Sequence, residues 1–155
     1  MFAPADYDLR PLTGRDEPIL WEMLYLAIPR TEGAEPDREI VRRPEYARYV
    51  ESWGRSGDVG FIAHDKNEGM PLGAVWLRGP VSAETPPELA FVVKPGHRQH
   101  GIGASLLTQI MRANPQLSAV KLRMGANSPA VRLFGRFGFE IASHGDEAIV
   151  MRRAI

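Results

Sequence analysis

The 155-residue chain contains no cysteine. That absence excludes a disulfide framework, a thiolate zinc site and a cysteine nucleophile. Long apolar runs are missing too. The longest, Met23 to Ile28, is far too short to span a bilayer. Charge of one sign does not prevail either. Nineteen basic and nineteen acidic side chains cancel to a formal net charge of zero, which argues against a uniformly basic nucleic-acid binder. The first eight residues carry two acids and no apolar stretch, so a secretory signal is not expected there. No repeat period or low-complexity segment is present. What remains is a chain with 44% hydrophobic residues, of a length that suits one globular domain over 1–155. The expectation is a cytoplasmic protein with no membrane and no nucleic-acid partner.

The neutral total conceals a division. Residues 1–87 hold 10 basic and 15 acidic side chains, whereas residues 88–155 hold 9 basic and 4 acidic. An asymmetry of this kind asks for a reason, although scatter alone can produce it.

Hydrophobic periodicity predicts the order β-α-α-β-β-β-α-β-α-β-β. Tyr7 to Leu12 alternates as a strand, and Thr13 can cap a helix over 16–28 that buries Ile19, Leu20, Met23, Leu24 and Ala27. Pro29 to Asp37 reads as a loop or flap. A second helix is predicted from Pro44 through Tyr46, Tyr49 and Val50 to Trp53. Residues 58–65 and 72–77 form a hairpin about Lys66 to Pro71. A Pro-rich loop, 79–87, precedes an almost wholly apolar strand at Leu89 to Val93. A glycine-bearing turn then opens a helix with the stripe Leu106, Leu107, Ile110 and Met111, stopped at Asn114-Pro115. Ala119 to Met124 is the next strand, Ser128-Pro129 starts the last helix, and strands follow at 140–143 and 148–151. The fold class is α/β (α+β), a mixed sheet with helices on it.

The chemistry concentrates where the buried strand meets that turn: Glu88-Leu-Ala-Phe91-Val92-Val93-Lys-Pro-Gly-His97-Arg98-Gln99-His100-Gly101-Ile102-Gly103-Ala104. The first amides of a helix have no internal partner and lie at the positive end of its dipole. Glycines at 101 and 103 would let an anion approach that backbone, with Arg98 adding a charged fork. A dinucleotide fingerprint fails, because Leu106 stands where its third glycine belongs. A P-loop fails for want of Gly-Lys-Ser/Thr. An ordinary tight strand-to-helix turn remains the alternative.

On these residues the sequence resembles the GNAT superfamily of acetyl-CoA-dependent N-acyltransferases. Arg98-Gln-His-Gly101-Ile-Gly103 is similar to the family's Gln/Arg-x-x-Gly-x-Gly/Ala. About 25 residues on, Asn127-Ser-Pro-Ala130-Val-Arg-Leu-Phe134-Gly-Arg-Phe-Gly138-Phe139 is similar to its Asn-x-x-Ala-x-x-Leu-Tyr-x-x-x-Gly-Phe. The resemblance implies a mostly antiparallel central sheet of about seven strands, flanked by about four helices. It divides the domain into an acceptor-side half, about 1–87, and a CoA-binding half, about 88–155. Coenzyme A enters as acetyl-CoA, the cosubstrate, and no metal is implied. The backbone of Phe91, Val92 and Val93 would pair with the pantetheine arm. Amides from Gln99 to Ala104, with Arg98 nearby, would hold the pyrophosphate, and His97 and His100 would be CoA neighbours. Asn127 would bond the pantetheine, while Ala130 and Phe134 would line the thioester end. In any other fold Asn127 is a helix cap and Phe134 core packing.

Many family members carry tyrosine where this chain has Phe134, and that hydroxyl commonly protonates the departing thiolate. Phenylalanine cannot, so water or Ser128 would have to suffice. That is tolerable for a thiol of pKa ~8.5. The resemblance implies direct attack by a primary amine in a ternary complex, with the Val93 amide or a neighbour as oxyanion donor. Glu88 is the first candidate base and Glu22 the second, against the reading of each as a solvated carboxylate. Trp21, Tyr25, Trp53 and Trp76 are substrate-pocket candidates; for Trp53, an aromatic anchor beside an Arg55–Asp58 pair is the plainer reading. The acceptor would be a small-molecule or peptide amine, and the acids of the first half suit a cation. A homodimer stays open. The competing reading is a CoA-binding or sensing module with little or no turnover.

Overall fold

The computed structural model describes residues 7–28, 35–55, 57–78, 86–94, 101–123, 129–145 and 148–154. Along them run β1 (Tyr7–Pro11), α1 (Glu17–Ala27), α2 (Pro44–Ala47), β2 (Val59–Asp65) and β3 (Pro71–Leu77). Then come β4 (Leu89–Val93), α3 (Ile102–Ala113), β5 (Ala119–Leu122), α4 (Pro129–Arg136), β6 (Glu140–His144) and β7 (Ile149–Arg152). The order of helices and strands is the expected one, with 3-10 helices added at Gly14–Asp16 and Arg38–Arg42. The strands form two antiparallel sheets, β1-β2-β3-β4 and β5-β7-β6.

Strand alternation explains how the larger sheet is covered on both faces. Val75, Leu77, Leu89 and Val93 turn to one side, where Leu106, Leu107 and Ile110 of α3 pack with Ala130 and Phe134 of α4. Ala74, Trp76 and Val92 turn to the other, against Leu20, Met23 and Leu24 of α1. The apolar stripe of α3 is therefore the predicted one. In α1, Leu20, Met23 and Leu24 are buried as predicted, but Ala27 is exposed.

The predicted second helix is much shorter than Pro44 to Trp53. It ends at Ala47 and continues as turns, with Tyr49 N–H donating to the Tyr46 carbonyl and Val50 N–H to that of Ala47. Ser52 (φ 59°) and Gly54 (φ 103°) are in the left-handed region, which a right-handed helix cannot include. Apolar spacing alone did not register that reversal.

The entry to α1 is fixed by Asp16, a charged residue only 4% exposed. Thr13 and Asp16 form a reciprocal capping box. The carboxylate also accepts from both terminal nitrogens of Arg10 on β1, at 2.9 and 2.8 Å, and from the Thr13 amide at 2.7 Å. The Arg10 hydrogen bonds hold the Asp16 carboxyl below its ordinary value of 3.8, against the opposing effect of burial, with further help from Thr13. Its stabilisation is thus complete above that ordinary value and drains away as pH falls through the lowered one.

Two outcomes follow for Asp16. Asp16→Ala should cost about 2 kcal/mol of unfolding free energy, measured by denaturant titration at pH 7. The stability gap between wild type and Asp16→Asn should narrow from pH 7 to pH 2; a gap that stays constant contradicts the assignment.

Candidate active site

The site begins with two strands that meet once. The Pro87 carbonyl accepts from the Lys121 amide at 2.9 Å, and Glu88 and Lys121 form a parallel bridge. Among the described residues no ladder joins β4 to β5 beyond that bridge. Peptide groups of a strand alternate between its two edges. The Lys94 amide donates to the Leu72 carbonyl on β3, and Val92 opposes Ala74 in the same ladder. It follows that Val92 and Lys94 are committed to β3, while Leu89, Phe91 and Val93 turn their peptide groups to the diverging edge. The expected trio of pantetheine partners is therefore divided: Phe91 and Val93 face the gap, and the Val92 peptide does not.

α3 opens beside this edge. Gly101 is its N-cap, in the left-handed region (φ 76°, ψ 3°), and the first helical bond runs from Ser105 N–H to the Gly101 carbonyl at 3.0 Å. The amides of Ile102, Gly103 and Ala104 precede that bond, and among the described residues neither a capping side chain nor an acid occupies the first turn. The glycines serve the backbone more than the clearance of an anion. Gly101 supplies the positive φ. A Cβ on Gly103 would come within 3.0 Å of Cζ of Phe91, so glycine there lets the helix close on β4. Between α3, α4 and β4 lies a cleft of about 540 Å³, bordered by Phe91, Val93, Gly101, Gly103, Ala104 and Ala130. Its charged lining comes from Arg132 and Arg136 of α4.

A second cavity, of about 670 Å³, lies on the α1 and α2 side of β4. Tyr46, Tyr49, Trp76, Leu89 and Ala90 give it an apolar and aromatic wall, and Glu45 and Arg123 are its charged lining groups. Phe91 and Ala27 border both spaces, so the two cavities share part of their lining.

Glu88 sits at the vertex of the divergence, its side chain 12% exposed. Arg123 Nε donates to Oε1 at 2.6 Å, Arg48 Nη2 donates to the same oxygen at 3.4 Å, and Arg48 Nη1 forms an ion pair with Oε2 at 2.8 Å. Tyr49 lies alongside, its hydroxyl accepting from Arg48 Nη2 at 3.2 Å. Burial works to raise the Glu88 pKa, but contacts with Tyr49, Arg123 and Arg48 outweigh it and leave the carboxyl below its ordinary value. Burial and the Glu88 charge push the Tyr49 phenol well above its own. A carboxylate neutralised by two guanidiniums is a weaker base than a free one. Glu88 is accordingly not a solvated strand end; its carboxylate is held between two guanidiniums.

Other candidates take structural positions. Glu22 is exposed and paired with Arg38 at 2.7 Å. Trp21 donates from Nε1 to Glu17 and stacks under Arg42, while the Tyr25 hydroxyl donates to the Pro36 carbonyl and its ring lies under Arg38. These three knit α1 to the 3-10 helix and border neither cavity. Trp53 is an anchor, donating to the Thr13 carbonyl at 3.0 Å. Asp58 pairs with Arg78 at 3.1 Å, not with the Arg55 side chain, and accepts from the amides of Gly54 and Arg55. Trp76 does line the second cavity, fixed by its donation to the Tyr49 carbonyl at 2.8 Å. Phe134 is 1% exposed and packs edge-on against Phe139, so its ring belongs to the core and not to the cleft wall. Arg98, Gln99, His100 and Asn127 lie outside the described residues. Tyr46, Tyr49, Arg123, Arg132 and Arg136 were not picked out as site residues from sequence. The i, i+3 spacing of the two tyrosines and the two arginines of the second motif were the available signals.

A sequence profile of the Acetyltransferase (GNAT) domain matches residues 56–141. No curated protein matches the chain. Among solved structures, the PaiA N-acetyltransferase of Thermoplasma acidophilum in complex with coenzyme A is 18% identical with a TM-score of 0.65, covering 97% of this chain and 100% of its own. A GCN5-related N-acetyltransferase from Kribbella flavida is 20% identical (TM-score 0.60, 99% and 100% covered). A ribosomal-protein-alanine N-acetyltransferase from Brucella melitensis is 19% identical (TM-score 0.62, 96% and 99% covered). At these identities the likeness is one of fold.

A cleft with the first helix amides at its edge and two arginines in its lining suits a polyanion, and coenzyme A is the natural probe. Arg132→Ala and Arg136→Ala should each weaken CoA binding about threefold to tenfold in low-salt calorimetry, with a smaller deficit at high salt. Unaltered affinity in both would move the anion elsewhere.

Proposed function

The chain belongs to the GNAT acetyltransferase family, and on that premise we propose that it transfers an acetyl group from acetyl-CoA to a primary amine by direct attack with both substrates bound. The observation that carries the reading is the pair of cavities on either side of β4 sharing Phe91 and Ala27. One is furnished for a polyanion, the other for a small molecule, and their common wall is where two reactants would meet.

Acetyl-CoA supplies an activated acyl thioester. The residues around it bind and orient. The amides of Ile102, Gly103 and Ala104 and the side chains of Arg132 and Arg136 hold the phosphate end, with Gln99, His100 and Arg98 as further proposed partners. Phe91 and Val93 turn their peptide groups toward the arm of the cosubstrate, and Ala130 borders it. The Val93 amide is the proposed donor to the oxyanion that develops as the amine attacks. Asn127 keeps its proposed bond to the arm.

Proton transfer works without a dedicated side chain. The amine attacks as the free base, forming the C–N bond, and the C–S bond breaks with the electron pair going to sulfur. The nitrogen gives up its proton to solvent, and the thiolate needs little help to leave, since a free thiol has pKa ~8.5. In this scheme Glu88 is a fixed anion between Arg48 and Arg123, and Phe134 has no chemical step.

A thiol-release assay with an amine panel tests the scheme. Release should occur, and for an alkylamine of pKa ~10.4 kcat/KM should climb about tenfold per pH unit between pH 6.5 and 9, as the neutral amine does. A plateau set by an enzyme group near pH 7 would instead indicate a general base. Tight CoA binding with no release for any amine would favour the sensing module, a reading that the core position of Phe134 keeps in view.

A further inference from the structure

Four aromatic rings from four parts of the chain line the second cavity: Tyr46 of α2, Tyr49 of the turn after it, Trp76 of β3 and Phe91 of β4. Leu24 of α1 and Leu89 of β4 add aliphatic surface beside them. Two of the rings are fixed by contacts of their own. Trp76 spends its sole donor on the Tyr49 carbonyl at 2.8 Å, which ties β3 to the turn that carries the Tyr49 ring. The Arg48 guanidinium lies over that ring, 4.6 Å from its centroid, and its Nη2 donates to the Tyr49 hydroxyl at 3.2 Å. Leu24 and Trp76 are buried in the core on this side of the larger sheet, and Tyr46, Tyr49 and Ala90 pack against it. An apolar group entering the cavity therefore extends a core that already exists, against rings that lose little further freedom. The volume, about 670 Å³, has room for a ring and a short chain.

We propose that this cavity takes an amine with an apolar, ring-bearing body, a compound of the arylalkylamine class, and that Tyr46, Tyr49 and Trp76 receive the ring. The proposal rests on the transferase reading for what happens to the amine, but not for recognition of the ring. It departs from the expectation of an acceptor chosen for its positive charge. Glu45 and Arg123 also line the space, but the selection is by apolar surface, in which amines of equal charge differ. Tyr46 is the ring to alter, since it is half-buried, whereas Trp76 is 1% exposed and fills the core.

Phenethylamine, ethylamine and putrescine separate surface from charge. The first two carry one amine each and differ by a ring; the third carries a second amine and no ring. Calorimetry in the presence of CoA should show phenethylamine binding about tenfold or more tighter than either of the others, with the more negative heat-capacity change. Tyr46→Ala should cut that preference about threefold or more while CoA affinity holds, and Tyr46→Phe should keep it. Amide NMR of wild type, which needs no variant to fold, should show shifts at Tyr46, Tyr49 and Ala90 with phenethylamine that ethylamine does not produce. Equal binding of phenethylamine and ethylamine, tighter binding of putrescine, full preference in Tyr46→Ala, or amide shifts that spare those three residues overturns the proposal. Thiol release is read in parallel. Preference without release for any amine leaves ring recognition standing and overturns transfer; release without preference does the opposite.

Discussion

Strands β4 and β5 run parallel, meet at Glu88 and Lys121, and diverge beyond them. Their separation turns the peptide groups on one edge of β4 away from β5 in the middle of the protein. Everything that makes a site here depends on it. The peptide groups of Phe91 and Val93 turn away from β3, the first turn of α3 comes to lie beside them, and cavities form along β4. The vertex is held by Glu88, whose carboxylate draws in Arg48 from the turn after α2 and Arg123 from the end of β5. One half-buried anion between two cations ties the turn after α2 and the end of β5 to the start of β4.

The sequence carried the elements better than their ends, and the cleft better than the second cavity. The stripe Leu106, Leu107, Ile110 and Met111 follows from spacing alone, because a helix on a sheet must bury one face. The loop at 101–104 was legible since a strand, a glycine and a helix start lie next to one another in the chain. Glu88 was not legible. Its partners are 40 and 35 residues away, and no local pattern announces them. Nor was the early end of α2 at Ala47 and the reversal that follows it, where Ser52 adopts a positive φ without being glycine. Phe134 turned on a contact with Phe139 that makes it core.

The division of charge at residue 88 looks different in three dimensions. The basic half supplies Arg132 and Arg136 to the cleft, in keeping with a polyanionic cosubstrate. The acids of the first half do not gather in the second cavity, whose lining, among the described residues, holds only Glu45 of them. Glu22 is spent on Arg38 and Asp16 on Arg10, while Arg48 of that half joins Arg123 of the other at Glu88. Charge counted along a chain predicts a site only when the charges reach it unpaired.

The most direct measurement is amide NMR of the labelled protein during a CoA titration. The account predicts large shifts and slowed exchange at Phe91, Val93, Ile102, Gly103 and Ala104, with Val92 changing little because its peptide is already bonded to β3. Perturbation confined to Tyr46, Tyr49 and Arg123, or a Val92 amide that moves with its neighbours, would contradict it.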